Sequence, residues 1–492
     1  LKGGCVHHDN GVMGAASYPD SEERKVRLLK ASGFNAIRCA HNPPAPSFLD
    51  ACDRLGMLVI DESFDCWREG KTPFDYHTAF EDWWQRDTAS MVLRDRNHPS
   101  VIIWSIGNEV IERDGRSNGA AVARMQAEFV RRLDPTRPVT AAINNVRGRD
   151  GRTWEDTDAV FSTLDIGGYN YLWEQYRADH ERKPQRIMMG TESFPMQAYD
   201  NWMCVADLPY VIGDFVWTSM DYLGESGIGR VYIETNPEKP AFLGEYPWHQ
   251  AYCGDIDLAG FKRPQSYYRD VLWGSGEPLY IAVHTPLPEG PVYKVSRWGW
   301  PDVAESWTWP GREGRTFQVD VYTAFPKVEL FLNGASLGVK TVTAEDKLIA
   351  TFEVPYEPGE LKAVGYIDDK AAAEKVLSTV SAAAAIRLTP EKETMKAAPD
   401  SLVFVTVEVI DQAGRLDPNA GHEIFFTVKG RGEIAAVGSG NPTSTERYRG
   451  NQRRAFRGRC VVVVKSDGEP GEITLRAQAD GLDTAEIRIR AA

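Results

Sequence analysis

Two glutamates stand directly behind apolar runs that read as strands. Glu109 follows Val101-Ile102-Ile103-Trp104-Ser105-Ile106-Gly107-Asn108, and Glu192 lies in Gly190-Thr191-Glu192-Ser193 behind Ile187-Met188-Met189. An acid placed there needs a reason. Burial strips water from the charged form and raises the pKa, which keeps a proton available for a leaving group. Two such carboxyls about 5 Å apart suit a retaining glycosidase, one serving as acid/base and the other as nucleophile. The plain alternative is a glutamate that caps the following helix. Other strand ends also carry groups able to bind hydroxyls. These are His7-His8-Asp9 behind Gly3 to Val6, and Arg38, which closes the run from Phe34 and is continued by Cys39-Ala40-His41-Asn42.

Residues so distant in the chain meet only if the fold gathers strand ends. Apolar runs predict strands over residues 3–6, 34–38, 57–61, 101–106, 138–142, 165–169, 187–189 and 211–217. Helices alternate with them. One begins at Asp20-Ser21-Glu22-Glu23 and stops at Gly33, another runs from Ser47 to Leu55, and a third covers Ala120 to Leu133. Eight such units in roughly 250 to 275 residues predict an α/β fold, the (β/α)8 TIM barrel, with active groups at the C-terminal strand ends. Strands four and seven are three steps apart around the ring, so Glu109 and Glu192 are expected to face each other across the mouth.

The rest of the chain differs in kind. Ten of the 14 tryptophans lie between Trp67 and Trp273, four cluster from Trp298 to Trp309, and none follows, which marks a change of domain type. The alternating run Leu402 to Ile410, ended by Asp411-Gln412-Ala413-Gly414, reads as β-sandwich. So does Val328 to Leu332, which turns through Asn333-Gly334, a pair that tolerates positive φ. The expected division is a catalytic TIM barrel over 1–274 and two immunoglobulin-like sandwiches over 275–382 and 383–492. The small-residue run Ser381 to Ala385 either links the sandwiches or enters a strand. At 492 residues the chain exceeds one core of about 150. A formal net charge of −14 disfavours nucleic acid and anionic membrane surfaces and suits a neutral substrate. No stretch approaches the roughly 18 apolar residues of a membrane span. Seven widely spaced cysteines suit neither a disulfide scaffold nor a zinc site, and are expected to act as buried small hydrophobes.

Three stretches carry a resemblance to a known family. Phe34-Asn35-Ala36-Ile37-Arg38-Cys39-Ala40-His41, the run from Asp95-Arg96-Asn97-His98-Pro99 to Asn108-Glu109, and Thr191-Glu192-Ser193 are similar to glycoside hydrolase family 2. The resemblance covers the whole barrel, and the downstream sandwiches resemble accessory domains of that family. It implies Glu109 as acid/base, Glu192 as nucleophile, and Asn108 on the sugar 2-hydroxyl. It places Arg38 beside the nucleophile, where its charge would keep Glu192 ionised, and His7 and His41 near sugar hydroxyls. One tyrosine of Gly168-Tyr169-Asn170-Tyr171 is implied on the nucleophile, Tyr171 in the favoured register and Tyr169 in the other. Trp217 is implied as an apolar floor for the sugar. Plain readings stand beside these: a structural ion pair for Arg38, histidines satisfied by backbone, and Trp217 as ordinary core. Asp221 and Glu225 are further candidates for hydroxyl binding, or simply solvated charges.

The implied activity is cleavage of terminal non-reducing β-D-galactosides, without a cofactor. Where magnesium-dependent members carry a Glu and a His after strand three, this chain has Cys66-Trp67-Arg68, so no metal is expected. Pro195 and Ala259 replace a His and an Asn of those members, so recognition of the sugar O6 is expected to differ, with Asp255 or Asp257 as substitutes. A second enzyme reading is a β-glucuronidase or β-mannosidase of the same family. The Asn-x-Lys element that pairs with a glucuronide carboxylate has no convincing counterpart in the loop following strand eight. A third reading is a non-catalytic carbohydrate-binding array, against which the intact Glu109 and Glu192 argue. The expected partner is an oligosaccharide or glycoside, with no nucleic acid and no membrane, and oligomeric state is left open. The start at Leu1-Lys2-Gly3-Gly4 reads as a cut inside a longer polypeptide, whose further domains the resemblance places upstream. Location is therefore open, with the periplasm or extracellular space favoured, and the fragment is expected to fold with weakened activity.

Overall fold

Eight parallel strands close a barrel in chain order: β1 (Lys2–Val6), β2 (Ala36–Cys39), β3 (Leu58–Glu62), β4 (Val101–Asn108), β5 (Val139–Ile143), β6 (Ile166–Asn170), β7 (Met188–Ser193) and β8 (Val211–Val216). The pairing of Lys2 with Asp214 joins the first strand to the last. This is a computed structural model that describes residues 1–146, 151–234, 243–288, 290 and 292–492. Most strand positions are buried whichever way they point, so the strands appear in the sequence as continuous apolar runs.

Two strands extend past their apolar runs. β4 continues to Asn108 because that residue still pairs with Ala142, and β7 reaches Ser193 because Glu192 pairs with Asn170. Glu192 therefore lies inside a strand rather than behind one. Register shifts fall between Ser105 and Asn108, between Tyr169 and Asn170, and between Gly190 and Ser193. Such irregularities re-aim side chains, and these cluster at the C-terminal ends.

The helices are α1 (Pro19–Ala31), α2 (Pro46–Leu55), α3 (His77–Asp95), α4 (Gly119–Leu133), α5 (Asp158–Phe161), α6 (Tyr176–Arg182) and α7 (Ala198–Asp207). Pro46 starts α2 with a preset φ, and Gly56 stops it in the left-handed region at φ 70°. Its buried face is Phe48, Leu49, Ala51 and Cys52, and each large side chain there contributes about 1.5–3 kcal/mol. Helix α4 buries Val122, Ala123, Gln126, Ala127 and Val130, the spacing of one helical face. At Gly107 a Cβ would lie 2.7 Å from Trp67 Nε1. The bare backbone there lets the indole pack and donate to the Ile106 carbonyl at 2.8 Å.

The chain forms two compact units, one of residues 1–8 and 22–219, the other of 9–21 and 220–492. The second unit takes in the helix Pro264–Trp273. Tyr268 of that helix sets its ring 5.4 Å from Tyr322 and donates to the Lys347 carbonyl at 2.7 Å. Those contacts tie the helix to the β-structure of the same unit.

The second unit contains two pairs of sheets. In the first pair, four strands around Leu279–His284 and Thr316–Thr323 face four around Lys327–Leu332 and Glu360–Ile367. Ile281, Trp307, Val319, Leu330 and Phe352 are among the residues buried between them. Asn333 and Gly334, at φ 50° and 81°, make the tight turn into Ala335–Thr341. In the second pair, strands including Leu402–Asp411 and Arg459–Ser466 bury Val405, Val407 and Val462 against Ile424, Phe426 and Leu475. The run Ser381 to Ala385 enters a strand, Ala383–Pro390. All seven cysteines are free, and all but Cys204 are buried.

Candidate active site

Arg38, at the end of β2, organises the mouth of the barrel. Its Nε and Nη2 donate to Glu62 at 2.8–2.9 Å, Nη1 donates to Glu192 Oε1 at 2.8 Å, and Nη2 donates to Asn108 Oδ1 at 2.8 Å. Nη1 also donates to the Thr191 carbonyl at 3.1 Å. The guanidinium and Glu62 are completely buried, and Glu192 is nearly so. Strands β2, β3, β4 and β7 thus converge on one cation.

Glu62 is a site residue that the strand-end reading passed over. Its carboxylate also accepts from Ser105 Oγ at 2.6 Å and contacts His41 Nδ1 at 2.8 Å. Burial pushes its pKa up, but Arg38, His41 and Ser105 outweigh that and hold it below the usual glutamate value. The available signal was Asp61-Glu62 closing the apolar run Met57 to Ile60, the same pattern that singled out Glu109.

Asn108 and Asn170 connect the two glutamates. Asn170 Nδ2 donates to Asn108 Oδ1 at 3.2 Å and to Glu109 Oε1 at 3.1 Å, while its Oδ1 accepts from Thr191 Oγ1 at 2.6 Å. Asn108 Nδ2 donates to Asp65 Oδ1 at 2.9 Å and lies 3.2 Å from His41 Nε2. With Nδ1 of His41 protonated toward Glu62, Nε2 is left to accept from Asn108. Asp65 in turn holds Lys71 Nζ at 2.6 Å. Glu109 and Tyr171 have φ of 43° and 59°, a region that non-glycine residues enter at a cost and that concentrates at functional sites.

Of the two tyrosines, Tyr171 lies against Glu192. Its backbone N–H donates to the Glu192 carbonyl at 2.7 Å, and its hydroxyl bonds the Glu192 carboxylate. Tyr169 is turned away: its hydroxyl donates to Asp179 at 2.7 Å and accepts from Arg186 at 3.0 Å. Trp217 is buried and stacks on His41, with ring centroids 5.0 Å apart and planes at 10°. His7 meets the same indole edge-on at 5.3 Å. Burial, with the nearby His41, His8, Lys25 and Arg38, pushes His7 well below the usual histidine pKa.

Arg38 and Tyr171 favour the charged form of Glu192, but burial dominates and the charge of Glu109 adds to it, so its pKa is raised above the usual value. Arg38 cannot reverse this because its charge is shared with Glu62. The proposed O6 substitutes are otherwise engaged. Asp255 pairs with Arg269 at 2.7 Å, and Asp257 Oδ1 accepts from the backbone of Ala259, Gly260 and Phe261, each at 2.9 Å. Asp221 accepts from Gly254 N at 2.7 Å, and burial pushes its carboxyl up to about 8. Tyr222 donates to Glu225. Among the described residues no cluster of three or more His, Cys, Asp or Glu side chains is placed to hold a metal ion.

Comparison with known proteins agrees with this geometry. Residues 1–201 match the glycosyl hydrolases family 2 TIM barrel domain, and residues 386–488 match glycoside hydrolase family 2 C-terminal domain 5. Residues 314–373 match a domain of unknown function. The chain is 34% identical to a β-galactosidase of Bacteroides ovatus, covering 100% of this chain and 61% of that protein. It is 29% identical to a protein of Formosa agariphila provisionally named β-glucuronidase, over 96% of this chain and 46% of that one. The crystal structure of a glycosyl hydrolase family 2 member from Bacteroides cellulosilyticus superimposes with a TM-score of 0.94 at 42% identity, covering 100% of this chain and 62% of that one. The chain thus spans less than two thirds of the length of these relatives. With both family domains matched around a closed barrel, the chain belongs to glycoside hydrolase family 2.

Proposed function

We propose that this chain carries the catalytic barrel of a retaining glycosidase that removes terminal non-reducing β-D-galactose. The observation that carries the reading is the network that ties Glu192 and Asn108 to Arg38 and joins Asn108 to Glu109 through Asn170. In the first step a Glu192 oxygen attacks the anomeric carbon while Glu109 protonates the departing glycosidic oxygen. The sugar is then held as an ester on Glu192. In the second step Glu109 takes a proton from water, the water oxygen bonds the anomeric carbon, and the Glu192 carboxylate leaves.

The surroundings fit these roles. Arg38 and the Tyr171 hydroxyl stabilise the carboxylate that leaves in the second step, whereas burial makes Glu192 more basic and hence a better nucleophile. Asn108, held by Arg38, Asp65 and Asn170, is assigned to the sugar 2-hydroxyl, and the Trp217 indole, with His7 edge-on and His41 stacked on it, to a wall for the sugar ring. Arg38 and Lys71 are each already paired with a carboxylate, which suits a neutral sugar better than a uronide. The β-galactosidase name of the Bacteroides ovatus relative supports the same choice. The reading includes no cofactor, and takes residues 1–274 as the catalytic domain with sandwich domains over 275–382 and 383–492.

The test is a panel of 4-nitrophenyl β-galactoside, β-glucuronide and β-mannoside, with the product anomer followed by NMR. The reading expects the galactoside to be preferred and the β anomer to appear first. Preference for the glucuronide would replace the substrate, and first appearance of the α anomer would overturn the mechanism.

A further inference from the structure

A recess of about 430 Å³ opens beside the site, between the segments behind β2 and β3 and the helix α3. Its lining includes His41, Phe64, Asp65, Tyr76, Asp87 and Ser90. His41 and Asp65 both contact Asn108, so the recess borders the catalytic network directly. Apart from His41, its lining has no part in the roles proposed above, and its size lies within the range of ligand pockets.

The chemistry of the lining is selective. Asp65 takes both Lys71 and Asn108 on Oδ1, and Asp87 takes the Tyr76 hydroxyl on Oδ2 at 2.5 Å. That leaves Asp65 Oδ2 and Asp87 Oδ1 as strong acceptors. Phe64 and Tyr76 stack at 4.7 Å and supply a flat apolar surface. Arg94 also lines the recess, but its guanidinium forks onto buried Asp95 at 2.6 Å, which compensates its charge. Carboxylate acceptors beside aromatic surface match a ring with hydroxyls on its rim and C–H groups on its face. The same carboxylates would repel an acidic sugar.

We propose that this recess binds a neutral pyranose unit of the substrate other than the one being cleaved. The inference rests on the glycosidase reading and extends it from a terminal sugar to an oligosaccharide. Ser90 is exposed on α3 at the recess, so Ser90→Trp fills it without disturbing the core.

The experiment compares β-1,4-galactotetraose with 4-nitrophenyl β-galactoside as substrates of the full chain and of Ser90→Trp. The expected result is that the ratio of kcat/KM for the tetraose over the small glycoside falls about tenfold or more, through KM. An unchanged ratio overturns the proposal. Calorimetric binding of the tetraose to Glu192→Gln and to Glu192→Gln/Ser90→Trp separates this from the catalytic reading. If neither substrate is cleaved, the glycosidase reading fails, and equal binding by the two variants then refutes the recess as well. Ser90→Arg, which fills the same space with a different shape, is expected to reproduce the loss. The aldonate made by oxidising the reducing end of the tetraose is expected to bind no tighter than the tetraose, and tighter binding would refute the preference for neutral sugar.

Discussion

Replacing Arg38 with Met is expected to destabilise the barrel in a pH-dependent way. The side chain lies 2.8 Å from both Glu62 and Glu192, whose side chains are 0% and 5% exposed. Each pair at roughly 4 Å between charge centres is worth about 4 kcal/mol at an effective dielectric of about 20. Methionine removes that attraction and leaves two carboxylates buried without a counter-charge. Breaking buried pairs in this way costs about 3–5 kcal/mol, which is the loss expected near pH 7. The sign of the pH dependence follows from the two pKa directions. In the natural protein Glu62 is held low, so its stabilising contribution survives as the pH falls toward about 5 and is lost only below the ordinary glutamate range. In the variant His41, Ser105 and Tyr171 are left to oppose burial without the guanidinium, so both carboxyls titrate higher than in the natural protein and take up protons over that interval. The stability gap should therefore shrink by about 1–2 kcal/mol between about pH 7 and pH 5. Urea unfolding followed by the fluorescence of the buried Trp67, Trp104 and Trp217 measures both values. A loss below about 1 kcal/mol, or a gap that widens on acidification, would refute the assignment of Arg38 as the shared counter-charge.

Other substitutions separate the neighbouring roles. Tyr171→Phe deletes a hydrogen bond to the Glu192 carboxylate, worth about 1.5–3 kcal/mol, so the acid limb of kcat/KM should move up by about one to two pH units; a stationary limb would remove Tyr171 from the site. Tyr169→Phe should leave that limb in place and cost about 1–3 kcal/mol in stability, because only the contacts to Asp179 and Arg186 are lost. Trp217→Ala empties a buried indole site against His41, and a loss of about 3–5 kcal/mol in thermal or urea unfolding is expected together with a raised KM; unchanged KM would leave the indole as core alone.

Much of the barrel was legible because its strands are buried on both faces. Runs such as Met57 to Ile60 and Val101 to Ile106 need no partner to be recognised as strands. Strand ends were less legible. The strand identity of Asn108 and Glu192 depends on pairing with Ala142 and Asn170, residues distant in the chain, and no local pattern reveals such pairing. Glu62 was missed for a related reason. A carboxylate after Asp61 reads as one more strand-end charge until Arg38, His41 and Ser105 are seen around it. Tyr169 and Tyr171 share strand parity and differ by a register shift at Asn170, so alternation alone leaves both registers open.

In the proposed mechanism Glu192 bonds covalently to the sugar. Incubating the full chain with a 2-deoxy-2-fluoro-β-galactoside bearing a good leaving group, followed by proteolysis and mass spectrometry, tests it most directly, because the fluorine slows release of the intermediate. One sugar is expected on the peptide containing Glu192 and none in Glu192→Gln. A label on another carboxylate, or turnover of the small glycoside by Glu192→Gln at the rate of the natural protein, would contradict it.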